Sequence, residues 1–202
     1  PLLALLFLGS GPLAIGQDAE PSTVDDYLER ASRRAKEGDL AGAIEDQGKA
    51  IELEPRSARA LNDRGFLLVH TGRLEEARRD LEAAIAADPA HAMAHANLGM
   101  ALDMAGDLDA ALERLERAIA LAANDAPARA VAHHARGVIR ARRSEAEGAL
   151  ADFAAALEAL PQMLSARENR SRLLLSLDRV DEALEDLAAI LEQAPNAHPI
   201  RI

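Results

Sequence analysis

The chain contains no cysteine and no tryptophan, a single tyrosine and only three phenylalanines. Without thiols it can form no disulfide, no thiolate zinc site, no cysteine nucleophile and no lipidated N-terminal cysteine. With 2% aromatic residues it has no platform for stacking bases, and a formal net charge of −11 opposes a phosphate backbone. Nucleic acid is therefore not expected as a partner. Runs of β-branched residues are also scarce. The apolar 49% is mostly alanine and leucine, both strong helix formers, which points to an all-α chain. The sequence carries no Gly-rich phosphate loop, nucleophile elbow or zinc-protease helix motif, so no enzymatic activity and no cofactor is expected.

What the chain does have is a repeat. The stretch Ala58–His91 recurs on both sides at a spacing of thirty-four residues. Gly65 and Gly99 hold the eighth place, Ala43, Ala77 and Ala111 the twentieth, Ala50, Ala84 and Ala118 the twenty-seventh, and Pro55 and Pro89 the thirty-second. Small residues fall where two packed helices must approach closely, and the proline follows the second helix, where a missing N–H does least harm. Each unit thus reads as two helices, A then B, with Gly38, Gly72 and Gly106 closing the A helices at equal spacing. After the third unit the register slips by an insertion, Ala126–Arg129. Gly137, Ala149, Ala156 and Pro161 then restore it, and Ser171, Ala183, Ile190 and Pro195 mark a fifth unit. The expected repeats are 24–57, 58–91, 92–125, 130–163 and 164–197, with a tail at 198–202.

Residues 1–16, PLLALLFLGSGPLAIG, are apolar and uncharged and end in small residues. They are expected to be a signal peptide whose charged first residues are missing, followed by a linker at 17–23. A buried capping helix and a retained anchor are the alternatives. The run is short and broken by Gly9, Gly11 and Pro12, so no stable membrane insertion is expected after cleavage. The expected home is outside the cytoplasm, in a bacterial periplasm. Ser22 or Thr23, with Asp25 or Asp26 three residues on, resembles a capping box that opens the first helix.

The pattern of Gly99, Gly106-Asp107-Leu108, Ala111 and Ala118 resembles the tetratricopeptide repeat, and five units cover Val24–Ala197. The large aromatic usual near the fourth place is here Tyr27, Leu61, His95, His133 and Arg167, which implies looser packing. The resemblance implies a right-handed α-solenoid whose A helices line a concave face that binds a partner's peptide or helix. One regularity needs no family. Arg30 with Asp46, Arg64 with Asp80, Arg136 with Asp152 and Arg170 with Asp186 lie eight residues either side of a turn, and are expected to pair within each hairpin. In the third unit Leu98 and Arg114 stand in those places.

Helix geometry puts the second, fifth, ninth and twelfth places of each A helix on one stripe, the candidate binding surface. It includes Asn62, Phe66 and Val69 in the second repeat, Met93 and Met100 in the third, and Val131, His134 and Val138 in the fourth. Met104 adds a third methionine to one helix, and methionine suits surfaces that accept varied apolar ligands. The alternative is that these side chains pack against the next A helix. Asp63 and Asn97 stand with Asn169 at the sixth place, where the family often presents amides to a peptide backbone, although Glu29 and Ala135 interrupt the row.

Three further features bear on function. His91, His95 and His133 could converge as zinc ligands, or more simply fill an aromatic's packing site; no metal site is expected. Arg136, Arg140, Arg142 and Arg143 lie in a stretch without acids. They either form a docking face for an acidic partner or bridge to the acidic B helices around them. The last helix shows Leu184, Leu187, Ala188 and Leu191 with no further helix to cover them, so either a homodimer forms through that face, a rival to the scaffold reading, or the native chain continues beyond Ile202.

Overall fold

The computed structural model describes residues 20–193. The leader expected at 1–16, residues 17–19 of the linker and the tail at 198–202 lie outside the described residues. Among the described residues ten α-helices run in order: α1 Val24–Lys36, α2 Leu40–Leu53, α3 Ala58–His70, α4 Leu74–Ala87, α5 Ala92–Ala105, α6 Leu108–Leu121, α7 Ala126–Arg142, α8 Ala146–Ala159, α9 Leu164–Ser176 and α10 Val180–Gln193. Odd-numbered helices are A helices and even-numbered ones B helices. Each A helix packs on the B helix after it and, from α3 onward, on the B helix before it; α3 also touches α5, α5 touches α7 and α7 touches α9. This is an all-α solenoid with no single centre. Its core is a series of small clusters, such as that of Leu68, Val69, Ala77, Leu81, Leu98 and Ala101, spread along the stack.

The local chemistry explains where helices start and stop. Thr23 opens α1 with a capping box: its hydroxyl accepts from the Asp26 N–H at 3.2 Å, and the Asp26 carboxylate accepts from the Thr23 N–H at 3.0 Å. Asp39, Asp107 and Asp125 cap α2, α6 and α7 with a single bond each, the carboxylate accepting from the N–H of Gly42, Ala110 or Ala128. Where the cap position is Arg73 or Arg179, no side-chain cap is available to α4, and each arginine instead pairs with a glutamate one turn on, Glu76 or Glu182, at 2.7 and 2.6 Å.

Between helices of a hairpin the chain must reverse through a left-handed residue. Gly38, Gly72 and Gly106 take it at φ of 87°, 74° and 89°, whereas in the last two repeats Ser144 and Asp178 occupy it at 62° and 61°. A side chain there costs on the order of 1 kcal/mol. Close approach is the other demand on small residues. A Cβ added at Gly99 would sit 2.7 Å from Leu115, and one at Gly137 2.8 Å from Phe153, so helices A and B touch with no room for a methyl.

The insertion at Ala126–Arg129 is not a loop outside the fourth repeat. Four residues are about one helical turn, so it adds a first turn to α7, with Pro127 where no N–H is needed and Asp125 as cap. The rest of the hairpin keeps its register.

The Ser144→Gly substitution should stabilise the chain by about 0.5–1 kcal/mol, and Asp178→Gly by less, because aspartate tolerates the left-handed region better. Urea denaturation followed by circular dichroism reads both; an unchanged midpoint for Ser144→Gly would show that the turn stores no strain.

Candidate binding surface

The side chains that hold each hairpin in register also decide what is left to face a ligand. Four buried carboxylates each take a two-pronged contact from an arginine of the partner helix. Arg30 donates to Asp46 at 2.9 and 2.6 Å, and Arg64 to Asp80 at 2.6 and 2.7 Å. Arg136 donates to Asp152 at 2.9 and 2.7 Å, and Arg170 to Asp186 at 2.7 and 2.6 Å. Three of the carboxylates collect further partners. Arg34 reaches Asp46 at 3.0 Å, Arg140 and His133 reach Asp152 at 2.7 and 2.9 Å, and Arg167 lies 3.5 Å from Asp186. These extra partners occupy the fourth and eleventh places, one turn either side of the main arginine, and that helical spacing was the signal for them. His133 and Arg167, where the family usually has an aromatic, thus serve a carboxylate.

Burial works to raise the Asp152 pKa. Hydrogen bonds from His133 and Arg136 and the charges of Arg136 and Arg140 outweigh it and hold the carboxyl below its ordinary value.

The arginines of the fourth repeat are all engaged inside the molecule. Besides Arg136 and Arg140 on Asp152, Arg142 pairs with Asp103 of α5, and Arg143 with Asp109 of α6 at 2.6 Å. The stretch Arg136–Arg143 therefore bridges helices and neighbouring repeats, and a free docking face for an acidic partner is not what these side chains present.

The A-helix stripe divides into two rows. One row faces the next A helix and is buried. Asn97 is 2% exposed and donates through Nδ2 to Asn62 Oδ1 at 2.9 Å; Asn62 in turn donates to Asp63 at 3.0 Å. Asn169 Nδ2 likewise donates to His134 Nε2 at 2.9 Å, so the imidazole proton sits on Nδ1. Both links join the fifth place of one repeat to the sixth of the next. Burial raises the Asp63 pKa against opposing contributions from Asn62 and Arg59, and lowers that of His134. Asn62, Val69 and Asn97 thus depart from the expected ligand-facing role: they are enclosed between A helices, and Asn97 Oδ1 has no donor among the described residues.

The other row stays open. Phe66 is 41% exposed, with its ring edge-on to His70 at 4.3 Å between centroids, and Met104 is 57% exposed. Met93, Met100, Val131 and Val138 are half-buried beside them. At the ninth place the five repeats read Ser32, Phe66, Met100, Val138 and Arg172, apolar in the middle and polar at both ends. Near the N-terminal end, Leu28, Ser32, Arg33, Lys36 and Arg59, with Glu29 and Glu37, line an open depression of about 520 Å³.

The histidines do not gather. His95 Nε2 lies 3.3 Å from the Pro89 carbonyl, burial lowers its pKa, and His133 is bound to Asp152; among the described residues no group of three ligating side chains could hold a metal ion. Also among the described residues, no helix is long and apolar enough to cross a membrane.

Helical hairpins stacked into a solenoid, with an open row along the A helices, define a class of repeat proteins that present extended surfaces. A profile of the tetratricopeptide repeat family matches residues 56–124, and a second profile of that description matches 28–81 and 134–198. The chain belongs to the tetratricopeptide repeat family, whose members are generally non-enzymatic scaffolds for protein–protein interaction. Among solved structures it is similar to TTC0263, a thermophilic TPR protein of Thermus thermophilus. The two are 24% identical, with 86% of this chain and 93% of that one covered and a TM-score of 0.76. Pseudomonas aeruginosa PilF is 20% identical over 84% of this chain and 76% of its own, with a TM-score of 0.71. The MamA protein of Desulfovibrio magneticus RS-1, from its residue 41 to its end, is 19% identical over 89% and 99%, with a TM-score of 0.61. These likenesses are of fold. No curated protein matches the sequence at a significant level.

Replacing Asp152 by alanine should strand the Arg136 and Arg140 guanidinium groups and cost about 3–5 kcal/mol of stability. The linked acid behaviour has a definite sign. A carboxyl held low when folded contributes stability that is complete above its unfolded pKa, near 3.8, and lost as pH falls through the folded value. Acid unfolding below about pH 4 should therefore lose part of its steepness in Asp152→Ala. A variant equal to wild type in urea midpoint and acid profile would refute this role.

Proposed function

We propose that the chain is a scaffold that holds an extended or helical segment of a partner protein along its A helices. The partner's middle rests on Phe66, Met100 and Val138 and its polar ends on Ser32 and Arg172. The observation that carries this reading is the open ninth-place row, apolar at its centre, in a family of interaction scaffolds. Burying each apolar anchor contributes roughly 1.5–3 kcal/mol before ordering costs, enough for reversible capture by two or three contacts. Export to a periplasm is part of the reading and rests on the apolar run at 1–16. Residues 1–16, preceded by a basic start, should carry a phosphatase reporter out of the cytoplasm; reporter retained inside would remove export.

A peptide selected on the wild-type chain from a display library should contain two apolar residues between polar flanks. Phe66→Glu with Met100→Glu should weaken it by at least about a hundredfold, with helical content unchanged. Selected peptides that bind wild type and variant alike would show that the open row is not the working surface.

A further inference from the structure

The joints between repeats follow one rule in this chain. At the twenty-eighth place of each of the first four repeats stands Ile51, Ile85, Ile119 or Leu157, and each shares a cluster with an alanine at the third place of the next A helix: Ala60, Ala94, Ala132 or Ala166. At the tenth place of that A helix, Leu67, Ala101, Ile139 or Leu173 meets the preceding B helix near its twentieth and twenty-first places. An arginine then ties the far end: Arg143 to Asp109 at 2.6 Å, and Arg179 to Glu147 at 3.5 Å, both acids at the eighteenth place.

The two ends of the solenoid differ under this rule. On α1 the third place is Asp26, committed to the Thr23 capping box, and the tenth is Arg33. On α10 the B-helix half of a joint is complete and uncovered: Leu184 at the twenty-first place is 55% exposed, Leu191 at the twenty-eighth 58%, and Asp181 stands at the eighteenth.

We propose that this face of α10 is a docking site for a cationic amphipathic helix of a partner protein, seated as a sixth A helix. Its required pattern comes from the internal joints: a small residue and an apolar one seven positions later, as in all four, and, as in the last two, an arginine four or six beyond that for Asp181. Charge selects this occupant over copies of the chain. Two α10 faces laid together would oppose Asp181, Glu185 and Glu192 with their own kind, and stacking α10 on the α1 of a second copy would set Leu191 against the Asp26 carboxylate.

The test uses the chain with residues 1–202 and, as probe, a fluorescein-labelled peptide with the sequence of residues 126–144, which carries Ala132, Ile139 and Arg143 at the required spacing. The peptide should bind one to one. Leu184→Asp with Leu191→Asp should weaken it at least about tenfold, added salt should weaken it too, and Phe66→Glu with Met100→Glu should leave it unchanged. The same peptide with Ile139→Asp should not bind. Both leucines are exposed, so circular dichroism of the α10 variant should match wild type. Three outcomes overturn the proposal: no binding up to about 1 mM peptide, binding indifferent to the α10 variant, or a sedimentation dimer that the α10 variant dissolves, which would make a second copy the occupant.

Discussion

The structure depends on a constraint repeated in four of its five hairpins: a carboxylate out of water on the B helix that must be met by an arginine from the A helix. The Asp152 side chain is 3% exposed, and a charge so enclosed is tolerable only when its oxygens are fully engaged. A two-pronged guanidinium contact admits one height and one rotation of helix A against helix B. In the second and fourth repeats that register sets the eighth-place glycine over a bulky residue of the B helix, and an added Cβ would sit 2.6 Å from Leu81 at Gly65 and 2.8 Å from Phe153 at Gly137; the first and fifth repeats hold Ala31 and Ser171 at this place. The third repeat shows the alternative. There Leu98 joins the cluster of Leu68, Leu81 and Ala101, and apolar burial takes over from the ion pair. That such an exchange is accommodated agrees with the small net worth of buried ion pairs: they specify an arrangement more than they stabilise it.

Fixing the hairpins also fixes how they stack, and stacking determines which side chains remain for a ligand. Adjacent A helices come close enough for Asn97 to reach Asn62 and for Asn169 to reach His134. Amides that could have met a peptide backbone are spent between repeats, and the row one step around the helix, through Phe66 and Met100, is left open. Between the third and fourth repeats the same two places are Ala96 and Ala135, so that joint is apolar where its neighbours are polar. Arg142 on Asp103 and Arg143 on Asp109 supply the polar links there instead.

The fold was legible because every element of it recurs. A spacing of thirty-four residues repeats the small, apolar and turn positions often enough that no one substitution hides the pattern, and the Arg–Asp pairs followed from counting outward from each turn. The surface was less legible for a geometric reason. Periodicity within a helix tells which residues share a face but not whether that face meets water or the next helix, since this depends on the distance between repeats. Asn62, Val69 and Asn97 lie close by angle to Phe66 and Met100, yet a small rotation about the helix axis separates enclosure from exposure. The link between places five and six, a spacing of thirty-five and not thirty-four, was the trace this left in the sequence. The insertion at Ala126–Arg129 was legible only as a slip of register for a related reason: a loop and an added helical turn shift the register alike until a cap such as Asp125 is seen to accept an N–H.

Stacked repeats make stability a sum of hairpins and joints, so each end of a solenoid is a joint with one side missing. At α1 the missing side is answered in polar terms by Asp26 and Arg33. At α10 the apolar positions of an internal joint are kept unchanged, although a lysine or glutamate at Leu184 or Leu191 would have suited water and disturbed nothing behind it. Ala183 and Ile190, which face inward, already complete the last hairpin. Intrinsic folding of the fifth repeat therefore places no demand on Leu184 and Leu191; the requirement they meet is that of a helix lying outside the five hairpins.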